Sequence, residues 1–193
     1  RLGFEMKNIP SMVDNFSILK SSTSAFDETW EPVWGEVKKI RNQYNELEIT
    51  LEQGSPKRTV IIRFRLYDDG LGFRYEFPNQ KNLSYFTIAE EITQFNLGKD
   101  YTAFWIRGDY DTNEYNYTTS LLSEVSHQID AATEEISAQT PTKEISVQTP
   151  LMLKGNGVYI NIHEAALKDY PAMLLELDST GVILSTHLTP DPL

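Results

Sequence analysis

The residues best suited to chemistry lie in one stretch, residues 105–117, which we call the acidic-aromatic loop. It combines three carboxylates with four aromatic rings: Asp109, Asp111, Glu114, Trp105, Tyr110, Tyr115 and Tyr117. Carboxylate oxygens suit a hard cation such as calcium, and amphipathic rings suit the apolar faces and hydroxyl edges of a sugar. The sequence therefore predicts a site for a cation or a carbohydrate. The alternative interpretation is a solvated rim of acids, with the rings covering a sheet edge.

A second candidate carboxylate, Glu164, follows the apolar run Val158–Ile162. One interpretation has Glu164 facing a cleft at the end of this strand, and the other has it pairing with Lys168 four residues on. The neighbouring His163 fits a structural role better than a catalytic one. Three histidines in the whole chain are too few and too scattered to suggest a metal cluster.

The composition excludes several classes of function. The chain has 28 Asp and Glu against 17 Lys and Arg, a net charge of -11, so it lacks the cations that displace counterions from nucleic acid. Because it has no cysteine, disulfides and cysteine nucleophiles are excluded. No apolar run of about eighteen residues occurs, so we expect no membrane span. Nucleotide-binding loops and serine or zinc hydrolase motifs are also missing from the sequence.

Alternation of polar and apolar residues dominates the chain, and helical periodicity is scarce. The alternation is cleanest in residues 46–52, 59–67 and 71–77, which are separated by turn residues. These three segments predict an antiparallel meander. Many short strands separated by turns favour an all-β fold, an antiparallel β-sandwich with functional loops at its edges.

Other segments depart from this pattern. Residues 21–35 are aromatic and irregular, and we expect them to cover a sheet rather than lie within one. Residues 147–153 resemble a single strand, and residues 121–129 fit a short strand or a short helix. The near-repeat at residues 135–141 and 144–150 has two copies, too few for a repeat fold.

The chain opens at Arg1 inside an alternating segment, with neither an initiator methionine nor a signal peptide. We therefore expect a mature or excised part of a longer protein. Its length of 193 residues fits one domain over residues 1–193 with a substantial core.

Five blocks of sequence occur in the order known for one enzyme family. They are Trp-Glu-Pro-Val-Trp-Gly-Glu at 30–36, Ile-Arg-Asn-Gln-Tyr-Asn-Glu-Leu at 40–47, Asp-Gly-Leu-Gly-Phe-Arg-Tyr-Glu-Phe-Pro at 69–78, Phe-Trp-Ile-Arg-Gly-Asp-Tyr-Asp at 104–111 and Ile-His-Glu-Ala-Ala-Leu at 162–167. With these blocks the chain resembles the N-terminal β-sandwich domain of glycoside hydrolase family 97. Within the family it is most similar to the periplasmic α-glucosidases of bacterial starch-utilisation systems.

The resemblance implies a galactose-mutarotase-like super-sandwich that is incomplete at its N-terminal edge. It also implies a parent enzyme, an exo-acting α-glycosidase of glucosidase or galactosidase type, in which a (β/α)₈ barrel beyond this chain carries the catalytic carboxylates. We therefore expect no catalytic residue in the chain and no activity from it alone. The expected partners are that barrel and an α-linked oligosaccharide, in the periplasm.

The family resemblance further implies a calcium ion in the full-length enzyme, with Glu114 as one of its ligands. Asp109 and Asp111 would support that ligand or shape the loop. Calcium takes six to eight oxygen ligands, so we expect this chain alone to bind it weakly or not at all. The residues expected to bind substrate are Trp105, Asp109, Tyr110, Tyr115 and Glu164. Two alternatives stay open, a stand-alone carbohydrate-binding module and a purely structural domain.

Overall fold

The structure, a computed structural model, describes residues 1–129 and 145–190. It divides into two compact units: Arg1–Val13 with Ile88–Leu193, which we call the sandwich unit, and Asp14–Thr87, which we call the meander unit. The strands are β1 Phe4–Met6, β2 Phe16–Trp30, β3 Ile40–Gln53, β4 Arg58–Leu66, β5 Leu71–Glu76, β6 Ile88–Glu91, β7 Gln94–Asn96, β8 Thr102–Trp105, β9 Thr118–Leu121, β10 Ser146–Gln148, β11 Leu151–Gly155, β12 Val158–Ile162, β13 Met173–Leu177 and β14 Ile183–Leu188.

The meander unit is one antiparallel sheet in the order β2-β3-β4-β5. The strict alternation of the sequence gives the sheet two different faces, because successive side chains of a strand point to opposite sides. Leu47 pairs with Phe64 and Ile49 with Ile62, which makes one face apolar. The other face carries charged side chains around Arg63. The predicted three-stranded meander is confirmed, with a fourth strand at its edge.

The sandwich unit contains two four-stranded antiparallel sheets, β10-β13-β14-β7 and β12-β11-β8-β9, and a pair formed by β1 and β6. The inner faces of the two larger sheets contribute to one buried core, which includes Ala103 and Leu153 from one sheet and Leu175 and Leu184 from the other. An antiparallel β-sandwich is therefore confirmed. None of the helices in the described ranges is long and apolar enough to cross a membrane.

Two expectations about individual strands are wrong. Residues 21–35 do not form an irregular cover, because residues 21–30 continue the long strand β2. Residues 147–153 are not one strand, because the chain changes sheet between β10 and β11 at Pro150. Residues 121–129, for which the sequence left a short strand or a short helix open, contain helical turns. The near-repeat lies largely outside the described residues.

Candidate functional site

The acidic-aromatic loop connects β8 to β9, and its first residues are fixed to a strand of the other sheet. The backbone N–H of Gly108 donates to the carbonyl of Ser146 at 2.7 Å, and the N–H of Gln148 donates to the carbonyl of Ile106 at 3.1 Å. Further along, the Gln148 side-chain amide donates to the carbonyl of Thr112 at 2.7 Å. The loop is therefore attached to β10 at two places.

Gly108 permits this attachment because a larger residue does not fit. A Cβ atom at position 108 would lie 2.0 Å from Oγ, 3.0 Å from Cβ and 3.2 Å from the carbonyl carbon of Ser146. The last of these atoms belongs to the backbone, which rotation of the serine side chain cannot move. Glycine is thus required for the close approach of the two backbones.

The side chains of Arg107, Asp109 and Tyr115 form a network inside the loop. Arg107 donates from Nη2 to the Tyr115 hydroxyl at 2.8 Å, and its guanidinium carbon lies 4.5 Å from the centre of the tyrosine ring. The Tyr115 hydroxyl donates to Oδ2 of Asp109, which is 3.5 Å from Nη2 of Arg107. Oδ1 of Asp109 accepts the backbone N–H of Asp111 at 2.8 Å. This network closes the loop on itself.

These contacts shift two pKa values in opposite directions. Burial raises the pKa of the Asp109 carboxyl, but hydrogen bonds from Tyr115, the backbone of the following residues and Arg107 outweigh burial, so its pKa lies below the usual range. The hydrogen bond to Asp109 is the main reason why the pKa of Tyr115 is raised. Asp109 is therefore ionised at neutral pH and holds its partners by charge.

Tyr110 connects the loop to the surface of the neighbouring sheet. Its ring stacks on the His187 imidazole with 5.9 Å between the centroids, and its hydroxyl hydrogen-bonds to Nε2 of His187. Nδ1 of His187 is 3.3 Å from a carboxylate oxygen of Glu90 and 3.3 Å from one of Glu176. Tyr110 is thus held on a half-buried histidine and is itself 47% exposed.

Glu114 differs from Asp109, whose carboxylate accepts hydrogen bonds, and resembles Asp111, whose carboxylate has no partner among the described residues. It is exposed, and only its backbone N–H is engaged, donating to the Thr112 hydroxyl at 3.1 Å. Its carboxylate makes no hydrogen bond or ion pair with any residue that the structure describes. An unpaired carboxylate on a fixed loop is available to a ligand from outside. Whether it binds calcium stays a prediction.

Trp105 and Glu164, also expected at the site, have structural contacts. Trp105 is only 5% exposed, lies in the core of the sandwich unit and donates from Nε1 to the Ser120 hydroxyl at 3.0 Å. Glu164 accepts the backbone N–H of Met173 at 2.7 Å and the hydroxyl of Thr149 at 2.6 Å. These contacts favour supporting roles for both side chains. A substrate contact by either one stays a prediction.

Of the predicted site residues, the structure brings Asp109 and Tyr115 into contact, places Tyr110 on His187 and leaves Glu114 apart from them. It also adds three residues that were not predicted. Arg107 is the only cation of the loop, which is a signal that the sequence offered. Gln148 and His187 are remote in sequence and gave no signal. Within residues 1–129 and 145–190, no three His, Cys, Asp or Glu side chains are grouped so that they could hold a metal ion. Calcium binding at Glu114 would need ligands from outside the described residues.

Comparison with protein families gives one match over nearly the whole chain. The model described as Glycosyl-hydrolase 97 N-terminal matches residues 1–190. Among characterised proteins, a retaining alpha-galactosidase of Bacteroides thetaiotaomicron is 25% identical over 191 residues, which cover 93% of this chain and 25% of that protein.

Solved structures agree with the family match. A glycoside hydrolase family 97 enzyme variant from Pseudoalteromonas sp. strain K8 is 34% identical with a TM-score of 0.82, covering 98% of this chain and 26% of that chain. A complex of an enzyme of this family from the same strain with acarbose gives 34% identity over the same shares and a TM-score of 0.79. A beta-arabinopyranosidase with 20% identity and a TM-score of 0.75 shares the fold. The chain spans about a quarter of the length of the relatives it matches.

Proposed function

This chain belongs to the N-terminal domain family of glycoside hydrolase family 97, and from that premise we propose that it is the non-catalytic domain of a calcium-dependent α-glycosidase. In this proposal it forms one wall of the active site and supplies Glu114 as a calcium ligand. One observation carries the proposal: the Glu114 carboxylate is exposed and unpaired among the described residues, on a loop whose neighbouring residues are fixed.

The donor chemistry of Glu114 suits calcium. Calcium prefers carboxylate and carbonyl oxygens and takes six to eight of them. Glu114 would supply one or two oxygens, and the catalytic part of the polypeptide would supply the rest. When bound, the ion would stabilise negative charge near the leaving group and orient the catalytic acid. Because the chain provides so few ligands, it would bind calcium only as part of the longer protein.

The remaining loop residues would prepare this ligand for binding. The network of Arg107, Asp109 and Tyr115 fixes the backbone before and after Glu114, which lowers the entropy lost when the ion is bound. Tyr110, held on His187, is about half exposed, and its ring would exclude water from one side of a bound sugar. These residues therefore position and shield, and we assign no proton transfer to them.

The substrate in this proposal is an α-linked oligosaccharide, which the catalytic part of the polypeptide would hydrolyse with two carboxylates. Support comes from the relatives, which include a retaining alpha-galactosidase and enzymes solved with acarbose and with panose. This chain alone would be inactive. A periplasmic location belongs to the same proposal and rests on the resemblance to starch-utilisation enzymes.

The test uses the full-length polypeptide and the variant Glu114→Gln, which keeps the size of the side chain and removes its charge. We expect the free calcium concentration for half-maximal activity to rise at least about tenfold, because a charged ligand is replaced by a neutral one. Glu5→Gln is the matched control, since Glu5 is an exposed glutamate on β1. If Glu114→Gln has the same calcium dependence and kcat/KM as the control, the proposed role of Glu114 is wrong.

A further inference from the structure

Strands β2 and β3 form a ribbon that extends beyond the rest of the meander sheet. β4 pairs with β3 only from Asn45 to Gln53, whereas β2 pairs with β3 as far as Trp30 and Ile40. Within the described residues, the segment 26–44 is therefore a two-stranded hairpin without a third strand, and we call it the arm. Its five paired positions extend about 17 Å past the sheet at roughly 3.3 Å per residue.

Cross-strand contacts keep the arm extended. The rings of Phe26 and Tyr44 stack with 5.1 Å between their centroids and an angle of 20° between their planes. Beyond them, Arg41 donates from Nε to Asp27 at 2.8 Å and from Nη2 at 2.5 Å. At the base, the guanidinium of Arg65 lies 4.4 Å from the centre of the Tyr44 ring. A two-stranded hairpin is marginal alone in water, and these pairs compensate for the missing third strand.

The tip of the arm is apolar and exposed. Trp34 is 90% exposed and Trp30 48%, and Val33 and Val37 are exposed beside them. Soluble proteins seldom expose several large apolar side chains together unless they bind a partner. Two of the three tryptophans of the chain thus lie near the end of the arm and are exposed to solvent.

An apolar hollow lies at the base of the arm, on the apolar face of the meander sheet. Its volume is about 710 Å³, and residues lining it include Thr23, Ala25, Leu47, Phe64, Leu66 and Leu71. Leu66 and Leu71 are exposed. The apolar surface therefore includes both the tip of the arm and the sheet beneath it, an extent typical of an interface with a folded partner.

We propose that the arm and the hollow dock against the catalytic part of the same polypeptide, with Trp34 buried in that contact. This inference rests on the proposed function in one respect, the existence of that longer polypeptide. We choose the catalytic part as the binding partner because of chain length. This chain covers only 26% of the family 97 structures that share its fold, so a similar full-length protein would contain a large further part. Because the catalytic part is covalently linked to this chain, its effective concentration near the arm is high. The exposed apolar residues of the arm can therefore be buried without binding a separate protein.

The chemistry of the tip favours a protein surface over a sugar or a charged ligand. Glu31 and Glu36 balance Lys38 and Lys39, so the tip attracts neither anions nor cations strongly. Val33 and Val37 flank the indole without offering hydrogen-bond groups for sugar hydroxyls. An apolar centre with charges at its rim is the usual pattern of a protein interface.

The first test is hydroxyl-radical footprinting of the full-length protein, with the labelling rate of each residue normalised to its rate in the unfolded protein. Tyr85 is the internal reference, because it is 83% exposed and belongs to the same unit. We expect Trp34 to be labelled at least about tenfold more slowly than in the unfolded protein, as a buried indole is. Labelling of Trp34 at the rate of a fully exposed side chain would overturn the proposal.

Two further conditions identify the occupant. Protection of Trp34 that appears only when maltotriose is added would assign the tip to sugar binding, and protection that is lost on dilution would assign it to a second copy of the chain. Either result overturns docking to the catalytic part. Footprinting does not depend on enzymatic activity. If Glu114→Gln shows that the calcium proposal is wrong, the docking proposal can still be tested by footprinting.

Discussion

The charged face of the meander sheet and the acidic-aromatic loop both bring an arginine next to carboxylates, but they leave the carboxylates in different states. On the sheet, Arg63 contacts Glu46 at 2.5 Å, Glu48 at 2.7 Å and Glu76 at 2.9 Å. In the loop, Arg107 contacts only Asp109 among the acids of the described chain, and the Glu114 carboxylate has no partner there. The sheet satisfies these acids, whereas the loop leaves the carboxylates of Glu114 and Asp111 without a partner among the described residues.

This difference separates structural carboxylates from a candidate ligand. The hydrogen bond from Arg65 is the main reason why the pKa of Glu46 is lowered, and the one from Arg63 lowers the pKa of Glu76. Such paired acids stabilise the fold and have little capacity left for an external ion. A carboxylate that the fold does not use is the better candidate for binding.

Replacing Arg63 with methionine would remove the cation that three carboxylates share and leave Glu48 without a partner among the described residues. The Arg63 side chain is 18% exposed, so three carboxylates would lose a half-buried partner at a cost of about 3 kcal/mol in the free energy of unfolding. Arg74→Met is the matched control, because Arg74 is 64% exposed and should cost less than about 0.5 kcal/mol. Urea denaturation followed by circular dichroism measures both. Equal effects of the two variants would contradict the assigned role of Arg63.

The same cluster predicts how stability depends on pH. The folded-state pKa values of Glu46 and Glu76 lie below the ordinary glutamate value of 4.5, so their contribution is fully present above that value. It is lost as the pH falls through the folded-state pKa. We expect the free energy of unfolding to decrease on acidification from about pH 5 to about pH 3. This decrease should be smaller in Arg63→Met, and an unchanged slope would contradict the account.

Replacing Gly108 with alanine would detach the loop from β10. The added Cβ would meet Ser146 at 2.0 Å, and relieving this overlap should cost about 2 kcal/mol in the free energy of unfolding. Gly72→Ala is the control, because nothing lies within 4 Å of a Cβ at that position. Chemical denaturation compares the two variants, and hydrogen exchange of residues 106–112 reports the loop directly. Unchanged exchange in Gly108→Ala would show that the loop is held by other contacts.

Replacing Tyr115 with phenylalanine would leave Asp109 with fewer partners and bring it closer to the state of Glu114. We expect a loss of about 1 kcal/mol, the usual net value of a hydrogen bond, and a rise of the Asp109 pKa toward its ordinary value. Carbon-detected NMR titration of the Asp109 carboxyl measures this rise. Tyr117→Phe is the control, since Tyr117 is an exposed tyrosine of the same loop. A pKa that changes equally in both variants would contradict the network.

The sequence predicted the meander well and its edge strand poorly, for a physical reason. Residues 46–52 alternate strictly because one face of β3 is apolar and the other charged. Residues 21–30 of β2 are exposed along their whole length, so no burial pattern marks them as a strand. Residues 147–153 are another case, because apolar residues occur on both sides of Pro150, whereas the strands before and after it belong to different sheets.

The sequence located the acidic-aromatic loop but not the contacts that give its members different roles. Tyr101, Ala103 and Trp105 alternate along the chain and lie in the core of the sandwich unit, a burial that we did not predict for Trp105. The attachment of Gly108 to Ser146 and of Tyr110 to His187 joins residues far apart in sequence. No local pattern contains such pairs, so the exposed state of Glu114 could be established only in three dimensions.

The central proposal is that Glu114 completes a metal site with the rest of a longer enzyme. The most direct measurement is a crystal structure of the full-length protein grown with calcium, with the ion located by anomalous scattering. We expect a Glu114 carboxylate oxygen about 2.3–2.6 Å from the ion, the usual range for calcium. An ion with a complete shell that excludes Glu114, or a Glu114 side chain that faces solvent, would contradict it.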